Sequence, residues 1–252
     1  MSAPALTSDA NYAIEMDGLT RRFGDFVAVD KVTLKIPKGQ LYGFLGLNGA
    51  GKTTTIRMLT TLLPPSAGTA KLWGHDVMKE PLAVRKLVGL VSDETSESQS
   101  AWTAREYLSY FARIRHLSDP SAEVERILDD VGLDARFRGK LIRTYSTGMK
   151  RRVEIARALM GRPKVLFLDE PTRGLDLPAK RDMWSLLRRL AATESVTTFL
   201  SSHDAQEIRT LCSEISVLAK GRVVHTGPTR EMGGDIDVFE ERLIAMLTQS
   251  ES

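Results

Sequence analysis

Residues 46–54 read Gly-Leu-Asn-Gly-Ala-Gly-Lys-Thr-Thr and follow directly on the apolar run Leu41-Tyr42-Gly43-Phe44-Leu45. A short apolar run bounded by turn-forming residues predicts a buried strand. The glycine-rich segment after it matches the spacing G-x-x-x-x-G-K-[ST], with Gly46, Gly51, Lys52 and Thr53 at the four fixed places. Backbone chemistry accounts for each of them. Glycines let successive N–H groups turn inward as a cradle for phosphate oxygens. The helix expected from about Lys52 onward points its positive end at the same anion. Lys52 can reach β- and γ-phosphates, and the Thr53 hydroxyl suits Mg²⁺. The candidate binding segment is therefore Gly46, Leu47, Asn48, Gly49, Ala50, Gly51, Lys52, Thr53 and Thr54. With glycine at about 7% of residues, such a pattern arises by chance in roughly one chain in a hundred of this length. It constrains the fold as well: a strand–loop–helix unit of this kind predicts an α/β protein, a P-loop core with a mainly parallel sheet.

A phosphate cradle binds but does not by itself turn over. The run Val165-Leu166-Phe167-Leu168 reads as a strand covered on both faces, and it ends in Asp169-Glu170. Ligands of open α/β sheets gather at the carboxyl ends of strands. Asp169 is suited to hold Mg²⁺, directly or through water. Glu170 is the candidate to orient or deprotonate an attacking water, an effect on the order of 10²–10⁴ in rate. Together these residues outline an ATPase site.

The chain has 252 residues, 42% hydrophobic and 27% charged, enough to bury a core as one large domain or two small ones. A net charge of +3 is too small to argue for a nucleic-acid partner. No apolar run nears the roughly eighteen residues of a membrane span. The N-terminal residues show no basic start followed by an apolar stretch, so no secretory signal is expected. One cysteine, Cys212, allows no internal disulfide and fits a reducing compartment.

Patterning predicts short strands near 13–16 and 27–36, an antiparallel β subdomain ahead of the phosphate-loop strand. A helix over 53–62 should stop at Pro64-Pro65, followed by strands at 70–73 and 86–91. The stretch 92–100 is polar. Helices are expected over 103–115, 123–131 and 147–160, so 93–160 reads as a helical insertion in an α/β core formed by 1–92 and 161–232. A helix over 178–192, a strand over 196–200, a helix over 205–211 and strands at 215–218 and 222–225 follow. The stretch 233–252 carries a last helix with Ile236, Phe239, Leu243 and Leu247 at helical spacing, read mainly as packing on its own core. The run Lys150-Arg151-Arg152 with Arg157 reads as a solvated helix face, and Trp102 and Trp184 as packing residues. His75, His116 and His225 have no partner at metal-ligand spacing and read as surface or turn histidines.

Further motifs bring a resemblance into view. Tyr145-Ser146-Thr147-Gly148-Met149-Lys150 lies shortly before Asp169-Glu170-Pro171-Thr172-Arg173-Gly174-Leu175-Asp176, and Ser201-Ser202-His203-Asp204 follows. In this order, over about residues 13–230, the chain resembles the nucleotide-binding subunit of ABC transporters. The resemblance implies ATP and Mg²⁺ as cofactors and Thr53, Asp169 and the residue at 93 as metal ligands. It implies that Ser146 and Gly148 cap the γ-phosphate held by an opposite subunit, so that each ATP needs both chains of a homodimer. Asp176 matches the loop that crosses the dimer interface. His203 matches a switch histidine beside the γ-phosphate and the catalytic carboxylate, and Phe23 an aromatic that stacks on adenine. It also implies a separate integral membrane permease, a place on the cytoplasmic face of the plasma membrane, and no nucleic-acid partner.

The chain departs from the family pattern in places. Thr147 and Met149 replace a usual Gly and Gln, a form found in exporter branches. Leu47 replaces a common Pro. Asp93 stands where the family has Gln; it is shorter and adds negative charge beside the γ-phosphate, so it either weakens ATP binding or holds the metal more firmly. Glu94 and Gln99 are nearby substitutes. Three functions remain open at this point: the ATPase subunit of an exporter of drugs, antibiotics, lipids or polysaccharides; a soluble ABC-type ATPase; and a slowly hydrolysing nucleotide-gated clamp.

Overall fold

The structure, a computed structural model, describes residues 11–92, 100–193 and 196–249. Two sheets organise them. The first contains β1 (Tyr12–Phe23), β2 (Phe26–Pro37), β4 (Ala67–Leu72) and the two-residue β5 (His75–Asp76), in the antiparallel order β2-β1-β4-β5. The second contains β3 (Leu41–Gly46), β6 (Val88–Val91), β7 (Val165–Asp169), β8 (Thr197–Ser202), β9 (Glu214–Ala219) and β10 (Arg222–Pro228), in the order β10-β9-β3-β8-β7-β6. Its pairs are parallel except β9 with β10, which form a hairpin. Every residue of β3, β7 and β8 is buried, as expected of strands covered on both faces.

The two faces of the large sheet feed two cores. On one, Phe44, Phe167 and Phe199 pack as tilted rings across β3, β7 and β8 and meet the antiparallel sheet and α1 (Lys52–Leu59) through Ile56, Met58 and Leu59. On the other, Leu45, Leu168 and Leu200 meet a helical layer. That layer contains α3 (Ala104–Ile114), α4 (Pro120–Asp130), α5 (Ala135–Arg138), α6 (Thr147–Leu159), α7 (Leu177–Thr193), α8 (Ala205–Leu211) and α9 (Ile236–Gln249). Thr103 opens α3 with a reciprocal capping box to Glu106, and Asp119 with Pro120 opens α4. In α9, Phe239 and Leu243 are buried in this core, in line with the packing role expected of that stripe.

Some boundaries differ from the sequence expectation. β1 is a twelve-residue strand, because it pairs with β2 on one side and β4 on the other. Residues 86–87 are not strand: Pro81 starts α2 (Pro81–Leu87), whose exposed Lys86 lies on its outer turn. Pairing with β7 begins only at Val88 opposite Val165.

Candidate active site

Three neighbouring interior strands deliver the site at their carboxyl ends. β3 runs into the phosphate loop and α1, β7 ends at Asp169, and β8 ends just before His203. The loop conformation is one that glycine makes possible. Gly49 and Gly51 have φ of 80° and 108°, in the left-handed region. A Cβ on Gly51 would lie 2.4 Å from the carbonyl oxygen of Ala28, and one on Gly46 would lie 2.5 Å from that of Leu218. The β9–β10 hairpin braces the loop from behind: Gly221 N–H donates to the Ala50 carbonyl at 2.9 Å, and Asp30 N–H to the Gly221 carbonyl at 2.8 Å.

Lys52 is only 5% exposed. Its ammonium donates to the loop's own carbonyls, Gly46 O at 2.7 Å and Leu47 O at 3.2 Å, and stands 3.1 Å from Glu170 Oε1. The contact with Glu170 is an ion pair without hydrogen-bond alignment, so this buried carboxylate oxygen has no hydrogen-bond donor among the described residues. The other oxygen, Glu170 Oε2, is 2.8 Å from His203 Nδ1. A carboxylate only accepts, which puts the ring hydrogen on Nδ1. Glu170 itself has φ of 50°, a left-handed conformation costing about 1 kcal/mol for a residue with a Cβ. Its backbone is held there by Glu170 N–H to Ser201 O at 3.1 Å and Arg173 N–H to Glu170 O at 3.2 Å. The sharp turn brings its carboxylate to Lys52 and His203.

Asp169 is 1% exposed and sits behind the loop. Thr53 Oγ1 donates to its Oδ2 at 2.7 Å, and the Ser201 hydroxyl donates to its Oδ1. A cavity of about 520 Å³ opens in front, lined by Leu47, Asn48, Gly49, Gly51, Lys52, Thr53 and Thr54, with Glu170, Arg173, Ala28, Phe23 and Phe26. That volume lies in the range of small-molecule sites. Phe23 and Phe26 face each other across the β1–β2 hairpin tip, and the Arg21 guanidinium lies 4.6 Å from the Phe23 ring centre.

The remaining candidates do not join this cluster. Ser146 caps α6, its hydroxyl accepting from Met149 N–H at 3.3 Å. Among the described residues, a Cβ on Gly148 would meet only the methyl of Ala179 within 4 Å, at 3.8 Å. Asp176 is exposed and accepts from Ala179 N–H at 2.9 Å. These residues share a surface around the starts of α6 and α7, apart from the cavity lining of the same chain. Asp93, with Glu94 and Gln99, lies outside the described residues.

One expectation is corrected. The basic run on α6 is not a solvated face. Arg151 is buried and pairs with Glu154 at 2.8 Å while donating to Ser92 O at 3.0 Å. Arg152 donates to Val131 O, and Arg157 to Leu90 O at 2.8 Å. These arginines bolt α6 to β6 and α4, because Gly89 lets α6 approach: a Cβ there would lie 2.2 Å from Ala158 O. Sequence reasoning also missed Phe26, Arg173 and Ser201. A Gly-Asp pair between Phe23 and Phe26 is a two-residue hairpin signal that places the two rings opposite each other. Nothing local marks Ser201, which reaches Asp169 only through strand order.

With this geometry in hand, known proteins fall into line. A family described as ABC transporter matches residues 29–173, more than half of the chain. Among relatives, the daunorubicin resistance ATP-binding protein DrrA3 of Streptomyces coeruleorubidus is 39% identical, over 91% of this chain and 74% of its own length. The bacitracin transport ATP-binding protein BcrA of Bacillus licheniformis is 37% identical, over 85% and 69%. Among solved structures, the ATP-binding cassette MJ0796, in a dimeric post-hydrolysis state bound to ADP and Pi, superposes with a TM-score of 0.76 at 23% identity, covering 86% of this chain and 99% of that one. No helix among the described residues is long and apolar enough to cross a membrane. The chain belongs to the ABC transporter family and is one of its ATP-binding, ATP-hydrolysing cassettes.

Proposed function

We propose that two copies of this chain close around two ATP molecules, each clamped between the phosphate loop of one copy and the α6 start of the other, and that closing and reopening drive export through a separate membrane-spanning permease. The observation that carries this reading is the division of the site. Lys52, Thr53, Asp169, Glu170 and His203 converge within one chain, whereas Ser146, Gly148 and Asp176 present polar groups outward. Among the described residues nothing gives Gly148 a reason to be glycine, since the space for a side chain is there. A phosphate of a second copy, bound at the helix N-terminus, supplies such a reason. The dimeric form of MJ0796 and the transport names of the relatives support the same reading.

The residues can then be given roles. Phosphate oxygens take over the Lys52 ammonium from the loop carbonyls, which parts it from Glu170. Glu170 keeps His203 on one oxygen and offers the other, already without a hydrogen-bond donor, to the attacking water. His203, with Nδ1 engaged, donates from Nε2 to a phosphate oxygen when it is imidazolium. The Thr53 hydroxyl, open to the cavity, and the buried Asp169 carboxylate are hard donors that fit Mg²⁺, with Asp93 as a further candidate ligand. When bound, that ion neutralises charge on the β- and γ-phosphate oxygens. Phe23 and Phe26 offer aromatic faces for adenine. The chain works at the cytoplasmic face of the membrane, and its transported substrate belongs to the drug or antibiotic class.

The test is Glu170→Gln in the presence of ATP. It should lose turnover and accumulate as a two-chain, ATP-bound species in sedimentation, and co-purify with a multi-span protein from solubilised membranes. A variant that stays a single chain with ATP bound contradicts the shared-site reading.

A further inference from the structure

Of the buried carboxylates outside the proposed chemistry, Glu154 pairs with Arg151, whereas Glu207 has no cationic partner among the described residues and takes only neutral side-chain donors. Glu207, in the first turn of α8, is 1% exposed. Three donors converge on it: the Ser202 hydroxyl at 2.6 Å, the Trp184 indole N–H at 3.1 Å, and the Thr172 hydroxyl. Each comes from a segment that carries the site. Ser202 immediately precedes His203, Thr172 lies two residues after Glu170, and Trp184 is on α7, which follows the loop holding Gly174 and Asp176. The far side of His203 is fixed to the same helices. Asp204 pairs with Lys180 of α7 at 2.8 Å, its carboxylate accepts from Glu207 N–H at 3.0 Å, and its own N–H donates to Ser202 Oγ at 3.0 Å.

A carboxylate taken this far from water costs several kcal/mol unless its partners are well placed. A leucine of similar size would fill the space without that cost. Burial pushes the Glu207 carboxyl upward, and the three hydrogen bonds pull it back. An apolar residue would tie nothing together, whereas this one links the backbone bearing His203 to the turn bearing Glu170.

We propose that Glu207 is a positioning residue for ATP hydrolysis, setting the His203–Glu170 contact through Ser202 and Thr172 and making it responsive to α7 through Trp184. This rests on the reading that Glu170 and His203 act on the attacking water and the γ-phosphate. Movement of the 174–176 loop, whose Gly174 and Asp176 are exposed, when a second copy docks, then reaches His203 through α7 and this carboxylate.

The experiment measures kcat and KM for ATP, with melting temperature, for Glu207→Gln in the wild-type chain and in a His203→Ala background. Glutamine keeps the shape but turns an NH2 toward one of the three donors. Expected are a fall in kcat on the order of tenfold with KM within about twofold, and no further fall in the His203→Ala background. The change in melting temperature should be the same in both backgrounds. Trp184→Phe, which removes only the indole link from α7 to Glu207 and leaves the Lys180–Asp204 pair, should lower kcat about threefold with KM unchanged, and serves if Glu207→Gln does not fold. An equal fractional loss with and without His203, or unchanged kcat in both variants, overturns the positioning role. Wild-type turnover in His203→Ala overturns instead the reading beneath it, and the proposal with it.

Discussion

The phosphate-loop half of this chain and its signature half are finished to different degrees. At the loop, internal packing dictates the sequence: Gly46 and Gly51 are backed by carbonyls that a Cβ would strike, and the Lys52 ammonium is satisfied by loop oxygens. At the start of α6, Gly148 is dictated by nothing among the described residues, and Ser146 and Asp176 merely cap their own helices in the open. The first half holds its shape alone. The second spends helix stability, on the order of 1 kcal/mol for glycine over alanine, with no return within one copy. That asymmetry is what a site completed by a second copy predicts.

Substitutions on the two sides should therefore differ in kind. The largest effect is expected from Glu170→Gln, a loss of about 10²–10⁴ in steady-state turnover with ATP affinity retained. Lys52→Ala should abolish binding rather than chemistry: the roughly 2.7 kcal/mol of stabilisation that a hundredfold excess of ATP over Kd confers should vanish from thermal melts. Truncating Phe23 and Phe26 together should raise KM for ATP about tenfold by losing aromatic contact with the base, while kcat stays near wild type. Gly148→Ala is the smallest in stability and the most discriminating. It should stabilise the isolated chain by roughly 0.5–1 kcal/mol yet suppress ATP-induced pairing. A Gly148→Ala protein that pairs normally erases the contrast between the two halves; one that also loses ATP affinity as a single chain moves Gly148 into the first half.

Much of this was legible from residue order. The strand ahead of Gly46 and the strand ending at Asp169 are short apolar runs covered on both faces, and such runs carry their own signal. The Ser146 cap is likewise local, a side chain answering an N–H three residues on. What escaped depends on distance across the fold. Ser201 reaches Asp169 because β7 and β8 are neighbours, and Glu207 gathers donors from residues 172, 184 and 202. The Arg151–Arg152 stretch looked solvated because charge is usually exposed; here the carbonyls of Ser92, just after β6, and of Val131, just after α4, with Glu154, receive the guanidinium groups. The short α2 was hidden because Lys86 and Leu87 lead into Val88 without a break in pattern.

The most direct test of the shared site is turnover per chain as protein concentration is lowered, alongside the size of the Glu170→Gln protein with ATP over the same range. The account predicts that specific activity falls as the paired species disappears, with both midpoints moving together. Undiminished activity at dilutions where every chain is single would contradict it.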